Sequence, residues 1–479
     1  MSKQHSISSG LLWKLLERFG VQGVQFVLQL VLARVLDPVH YGSLSIIIIF
    51  TNLAQVFIQA GLSTALIQNA DVTEEDYSSV FWVTFLLALV SYVVLFFAAP
   101  TIAVFYNMPE IVDPFRVIAL MLFPGALNSV QMAKVSRELD FKKVFYGNVG
   151  ASILSGVTGI VLAALGAGLW ALVVQTLLSI CVVCVTMWFM VDWRPRLLLR
   201  WNRVRVLFSF GWKLLVSGLL DTLYTNLSSL IVGKKYDADT LAYYNRGNNF
   251  PMFIINSINS AVQTVLLPAM SAKQNSADQV KGIMRTSIIM SSYIILPMMA
   301  GLAAVATPMV KVLLTDKWLP CVPYLQIFCF ALAFYPIHSS NVQAINAMGR
   351  SDIFLKLEVI KKVIGIIVLA VAVFAFDTPI AIASSGILTT VLSFLINAYP
   401  NKKLVNYSYF EQIKDILPSL LLSLAMFFIV LPLQNLALAQ ILILIIQIAA
   451  GAVFYVGLSA LLKLQPFLQL LQIVKKLLK

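Results

Sequence analysis

Apolar runs of about 20 residues, long enough to cross a bilayer as a helix, recur from one end of the chain to the other. Short polar breaks separate them. Together they predict an all-α polytopic membrane protein of about fourteen helices. The expected limits are 11–35, 41–68, 78–105, 112–135, 143–166, 168–191, 206–233, 239–268, 283–308, 321–347, 354–376, 379–399, 413–434 and 437–462. A last segment, 464–479, carries apolar residues at 467, 470, 471, 474, 477 and 478, with Lys475, Lys476 and Lys479 off that face. It predicts an amphipathic helix lying on an anionic leaflet.

Within these runs the polar residues fall on stripes. In "ERFGVQGVQFVLQLVLARVLD" (17–37), Arg18, Gln22, Gln25 and Gln29 share one narrow face of a helix. The second run has Asn52, Gln55 and Gln59, and the fourth has Asn128 and Gln131. The seventh has Lys213 near its start, then Asp221, Thr225, Ser228 and Ser229. The eighth has Arg246, Asn249, Asn256, Ser260 and Gln263, and the tenth has His338 and Asn341 behind Pro336. A charged side chain at the bilayer centre costs about 2.5–3.5 kcal/mol, and a polar group facing lipid needs a partner or water. Amides can meet that need by joining helices, at about 0.6 kcal/mol each. That packing role is the expectation for the fourth helix and for His338. The first and eighth helices each combine an arginine with amides in line. With the second and seventh, they predict a shared water-filled cavity between two halves of the chain. Its fixed charges are more basic (Lys14, Arg18, Lys213, Arg246) than acidic (Glu17, Asp221). Guanidinium forks suit phosphate and amides suit sugar hydroxyls, so an anionic, hydroxyl-rich substrate is expected. A cation exporter would want a carboxylate deep in the membrane, and Asp221 alone is so placed.

Composition supports the membrane assignment: 60% of residues are hydrophobic and 11% charged, against roughly 25% charged in soluble domains. The first ten residues lack the apolar core of a signal peptide, so the chain is expected to enter its first span directly. Lys and Arg sort the loops. Arg34, Arg116, Lys234, Lys235, Arg246, Lys311 and Lys317 fall on one side, and the other 27 of the 34 fall with the termini. The positive-inside rule then places both termini in the cytoplasm. The exception is "DVTEED" (71–76), on the cytoplasmic side without a base. The richest basic stretch, "DWRPRLLLRWNRVR" (192–205), is expected to face anionic lipid headgroups rather than nucleic acid. Cys181 and Cys184 form a CxxC inside an apolar run, where cysteine packs as a small hydrophobe. No metal site and no cofactor are predicted.

That basic stretch is also the midpoint of an internal repeat. "WKLL" occurs at 13–16 and 212–215. "ARVLDPVHYGSL" (33–44) matches "GKKYDADTLAYY" (233–244), and "RELDFKKV" (137–144) matches "RSDIFLKL" (350–357). The expected organisation is a six-helix bundle over 1–192, a linker at 193–206 and a second bundle over 207–400. Two further helices over 401–463 and the amphipathic helix complete it. Copies of even helix number share one orientation, as in transporters whose halves rock about a midplane site.

Three stretches carry a family resemblance: "GAGLWALV" (166–173), "INAMGRSDIFLKLEVIKKVIG" (345–365) and "SRELDF" (136–141). They resemble the polysaccharide-transport branch of the multidrug/oligosaccharidyl-lipid/polysaccharide exporter superfamily, the Wzx-type flippases of O-antigen, capsule or exopolysaccharide units. The resemblance implies two bundles in a V-shaped fold like that of the superfamily's multidrug exporters. It also implies a flippase, not an enzyme, in the bacterial cytoplasmic membrane. The substrate would be an undecaprenyl-diphosphate-linked oligosaccharide, moved from cytoplasmic to periplasmic leaflet by alternating access. Arg18 and Arg246 are its candidate diphosphate ligands and Asp221 its candidate ion-coupling residue. Polysaccharide polymerase and assembly proteins are its expected partners. A cation-coupled multidrug exporter of the same superfamily is the alternative. A polymerase or glycosyltransferase is disfavoured by the short external loops near 106–111 and 309–320.

Overall fold

The computed structural model describes residues 20–477, apart from Ala60, Ala70 and Leu139. Among these residues every regular element is helical: α1 (Gly20–Val35), α2 (Pro38–Gln59), α3 (Leu62–Gln68), α4 (Glu74–Tyr106), α5 (Val112–Ala119), α6 (Leu122–Glu138), α7 (Phe141–Ala164), α8 (Leu169–Met190), α9 (Trp201–Lys235) and α10 (Ala238–Ser271). Then follow α11 (Ala277–Ala304), α12 (Ala306–Leu314), α13 (Val322–Leu332), α14 (Tyr335–Ala347), α15 (Ser351–Ala375), α16 (Pro379–Leu404), α17 (Tyr409–Val430), α18 (Gln440–Leu461) and α19 (Gln465–Leu477). Eleven of the helical stretches are long and apolar enough to cross a membrane, so the protein is a multi-pass membrane protein.

Three expected spans fall outside those eleven. The described part of the first, α1, is short. The fourth is broken into α5 and α6 at Leu120 and Met121. Pro124 causes the break, because it has no N–H for the carbonyl one turn earlier and its ring crowds that carbonyl. The eleventh, α15, is full length but carries Glu358, Lys361 and Lys362 in its apolar part. Other helices begin earlier than their apolar runs. Thr73 and Asp76 form a capping box that starts α4, and Ser408 and Glu411 form another that starts α17.

The chain divides into two compact units, Met1–Ala242 and Tyr243–Lys479. In the first, α9 packs on α2, α3 and α4. A core of this unit joins Leu62, Leu66, Tyr77, Phe81, Val130 and Trp193. Gly61, between α2 and α3, sits at φ +67°, and a side chain there would meet the Gly211 carbonyl oxygen at 2.5 Å. A glycine is therefore required on both counts.

The acidic stretch and the basic stretch turn out to be partners. Arg203 grips Asp76 with two bonds, Nε to Oδ1 at 2.8 Å and Nη2 to Oδ2 at 2.6 Å. Arg200 pairs with Glu75 at 3.0 Å, and Trp193 Nε1 donates to Glu74 at 2.7 Å. The backbone N–H groups of Arg196 and Arg200 donate to Ser78 and Ser79 of α4, and Trp82 Nε1 donates to the Arg196 carbonyl at 2.8 Å. Arg194 donates to the carbonyls of Trp188 in the last turn of α8, of Val191 just after it, and of Trp193. Arg194, Arg196, Arg200, Arg203 and Arg205 are all exposed, and Arg194, Arg200 and Arg203 are engaged within the protein as well.

In the second unit a core of Leu266, Met270, Met284, Ile288, Phe394 and Tyr407 joins α10, α11, α16 and the α16–α17 turn. The same motif of cations and helix-start acids recurs: Arg285 grips Asp415 at 2.6 and 2.7 Å, and Lys281 pairs with Glu411 at 3.1 Å. Tyr407, in the α16–α17 turn, donates its hydroxyl to Asp415 at 2.7 Å. Burial and that carboxylate push its phenol above the usual range, so it stays a donor.

Candidate functional site

Two kinds of polar feature interrupt the apolar helices. The first is a cavity of about 540 Å³ inside the N-terminal unit. Gln55 and Gln59 on α2, Ser63 on α3 and Asn128 on α6 line it, with Asn148 of α7 and Ser179 of α8 opposite. Ser129 and Ser136 add two more hydroxyls, and the apolar walls are Ile67, Met121, Met132, Ile180 and Val183. No charged side chain lines it among the described residues.

Local sequence explains the shape. The break at Gly61 turns Ser63 and Ile67 into one wall. Gly125 lets the Gln55 amide lie against α6, since a β-carbon there would come within 2.7 Å of both amide atoms. At the loop end, Arg137 Nη1 donates to the carbonyls of Leu66 and Asn69, at 2.7 and 2.9 Å, and staples α3 to α6. Three acceptors at the cavity wall are buried without a hydrogen-bond partner: Gln55 Oε1, Ser63 Oγ and Asn128 Oδ1.

The second feature is a set of exposed polar side chains on otherwise apolar helices. On α1, Gln25 and Gln29 are exposed, and Gln22 is half-buried. Gln25 Nε2 reaches Ser152 Oγ of α7 at 3.5 Å. Asn52 on α2, Lys213 and Asp221 on α9, and Asn249 and Asn256 on α10 are exposed. Little of α9 is covered: 6% of its most apolar stretch is buried.

Arg18 lies outside the described residues. Of the expected cavity set, Gln55 and Gln59 share the cavity above, and Gln263 Nε2 donates to Ser339 Oγ of α14 at 2.9 Å. Arg246 is 8% exposed, with its guanidinium 4.7 Å over the Trp318 ring. Asn128, expected only to join helices, lines the same cavity as Gln55. The usable signal was Gly125, one turn before Asn128 on the same helix face. His338 does pack as expected, its Nδ1 2.6 Å from Asn397 Nδ2.

The comparisons with known proteins agree with one another. The succinoglycan biosynthesis transport protein ExoT of Rhizobium meliloti is 23% identical over 351 residues, covering 73% of this chain and 71% of its own length. The lipopolysaccharide biosynthesis protein WzxC of Escherichia coli is 24% identical over 427 residues, covering 88% and 83%. Among solved structures, the lipid II flippase MurJ in an inward closed conformation shares the fold, with TM-score 0.75 at 16% identity over 94% of this chain and 98% of its own. A family model described as polysaccharide biosynthesis protein matches residues 31–323, more than half of the sequence, and the chain belongs to that family.

Proposed function

We propose that the protein is a flippase for an undecaprenyl-diphosphate-linked oligosaccharide, which it carries from the cytoplasmic to the periplasmic leaflet by alternating access. The observation that carries this reading is the row of exposed amides and charges on helices apolar enough to sit in lipid. Such groups are tolerated in the hydrocarbon only along a water-filled path. The names of the polysaccharide-biosynthesis relatives support a lipid-linked sugar as the cargo. On this reading Arg18 and Lys213 meet the diphosphate, Gln25, Gln29, Asn52, Asn249 and Asn256 line the path, and Asp221 is the ion-coupling residue. Arg246, being buried on Trp318, holds the start of α10 in place. Both termini are cytoplasmic, and polymerase and assembly proteins act on the product. The role is transport, not catalysis.

The test is deletion of the gene in its own host. Surface polysaccharide should disappear while complete lipid-linked repeat units accumulate on the inner face of the cytoplasmic membrane. Complete units still arriving on the periplasmic face, with altered chain length alone, would refute the reading in favour of a polymerase.

A further inference from the structure

The N-terminal cavity differs from the exposed stripes in one respect that decides its chemistry. Half of its sixteen described lining residues carry an amide or a serine hydroxyl, and no formal charge lines it among the described residues. Among the described residues nothing there would neutralise a diphosphate, and no carboxylate would meet a cationic drug. Its volume of about 540 Å³ lies within the range of small-molecule pockets, about 300–1,000 Å³, and is far larger than a single ion needs.

Amide and hydroxyl side chains both donate and accept, and those of Gln55, Ser63 and Asn128 come from three different helices, α2, α3 and α6, around one space. A neutral ring bearing several hydroxyl groups matches such a lining. Its apolar face would rest on Met121, Met132 and Ile180, as sugar rings present carbon on one side and hydroxyls around the rim.

We propose that this cavity is the subsite for one neutral sugar residue of the transported glycan, whose hydroxyls bond to the amides and serines of its lining, Gln55 and Asn128 among them. The proposal rests on the flippase reading and adds to it where, and by which groups, glycan is distinguished from its lipid carrier.

The test compares two probes on the full-length protein in lipid nanodiscs. One is undecaprenyl diphosphate itself, which lacks sugar. The other is the complete lipid-linked oligosaccharide extracted from the deletion strain. Gln55→Leu and Asn128→Leu should each weaken binding of the oligosaccharide form by about tenfold, the loss of one or two hydrogen bonds. Binding of undecaprenyl diphosphate should not change. Gly125→Ala, which pushes the Gln55 amide aside, should do the same more weakly and guards against a folding defect in the leucine variants. Equal losses for both probes, or no loss for either, would overturn the subsite. So would variants that keep glycan discrimination but lose a sodium-dependent gain in melting temperature, which would make the cavity an ion site. Failure of the unaltered protein to bind either probe would instead overturn the flippase reading, and the subsite with it.

Discussion

Replacing Asn341 by leucine should be among the most destabilising single changes in the C-terminal unit, and the structure says by how much. Asn341, Asn401 and Gln412 are each 0% exposed and come from α14, α16 and α17. Asn341 Nδ2 donates to Gln412 Oε1 at 2.7 Å and to the Ile337 carbonyl at 2.8 Å. Its Oδ1 accepts from Asn401 at 2.8 Å and from Gln412 at 3.1 Å. Four bonds at the membrane average of about 0.6 kcal/mol come to about 2.4 kcal/mol. Gln412 Oε1 is then left without a donor, which adds about 1–3 kcal/mol. The expected cost of Asn341→Leu is therefore about 4 kcal/mol. Gln412→Leu should cost about half as much, because Asn341 keeps the Ile337 carbonyl and the Asn401 amide. The double variant should be no worse than Asn341→Leu alone, since it removes the stranded amide as well. Equilibrium unfolding of the reconstituted protein in a detergent titration measures all three. A Gln412→Leu cost equal to that of Asn341→Leu, or strictly additive costs, would refute the assignment of Asn341 as the hub.

Three further outcomes follow from contacts described above. Asp76→Arg and Arg203→Asp should each lower the yield of folded protein, and combining them should restore part of it, as read by monodisperse recovery after purification. Gly61→Ala should lower stability by at least about 1–2 kcal/mol for the left-handed backbone alone, with a further penalty from the Gly211 carbonyl, visible as a drop in melting temperature. Arg246→Gln should lower the melting temperature, because it removes a stacked, buried guanidinium. Lys213→Gln, at an exposed position, should leave it unchanged and alter diphosphate binding instead.

What could be read from the sequence was whatever depends on local pattern. The apolar runs gave nearly every span, because hydropathy over about 20 residues is what a membrane selects. Helix starts were read late, since an apolar run marks where lipid begins, while Thr73 and Ser408 mark where backbone hydrogen bonds begin. The break at Leu120 was legible in Pro124 but was passed over because the run on both sides is apolar. The pairing of Asp76 with Arg203 lay out of reach: the partners are 127 positions apart, and each stretch alone looks like an ordinary charged loop. The cavity fell between these cases. Gln55 was found through its stripe, whereas Asn128 and Ser63 gain meaning only when three helices meet.

The clasp between the acidic start of α4 and the 192–205 segment also bears on how the molecule is made. Residues 71–76 leave the ribosome long before Arg200 and Arg203, and their own loop offers no base. Asp76, Ser78, Ser79 and Trp82 therefore wait through the synthesis of four more helices before their partners arrive. A nascent chain halted at residue 192 has every helix up to α8 yet lacks the strap that joins the end of α8 to the start of α4 and the helix α9 that packs on α2, α3 and α4. The N-terminal bundle therefore reaches its final form only together with α9; until then Glu74 has Lys134 at 3.7 Å, while Glu75 and Asp76 still lack the arginines that hold them.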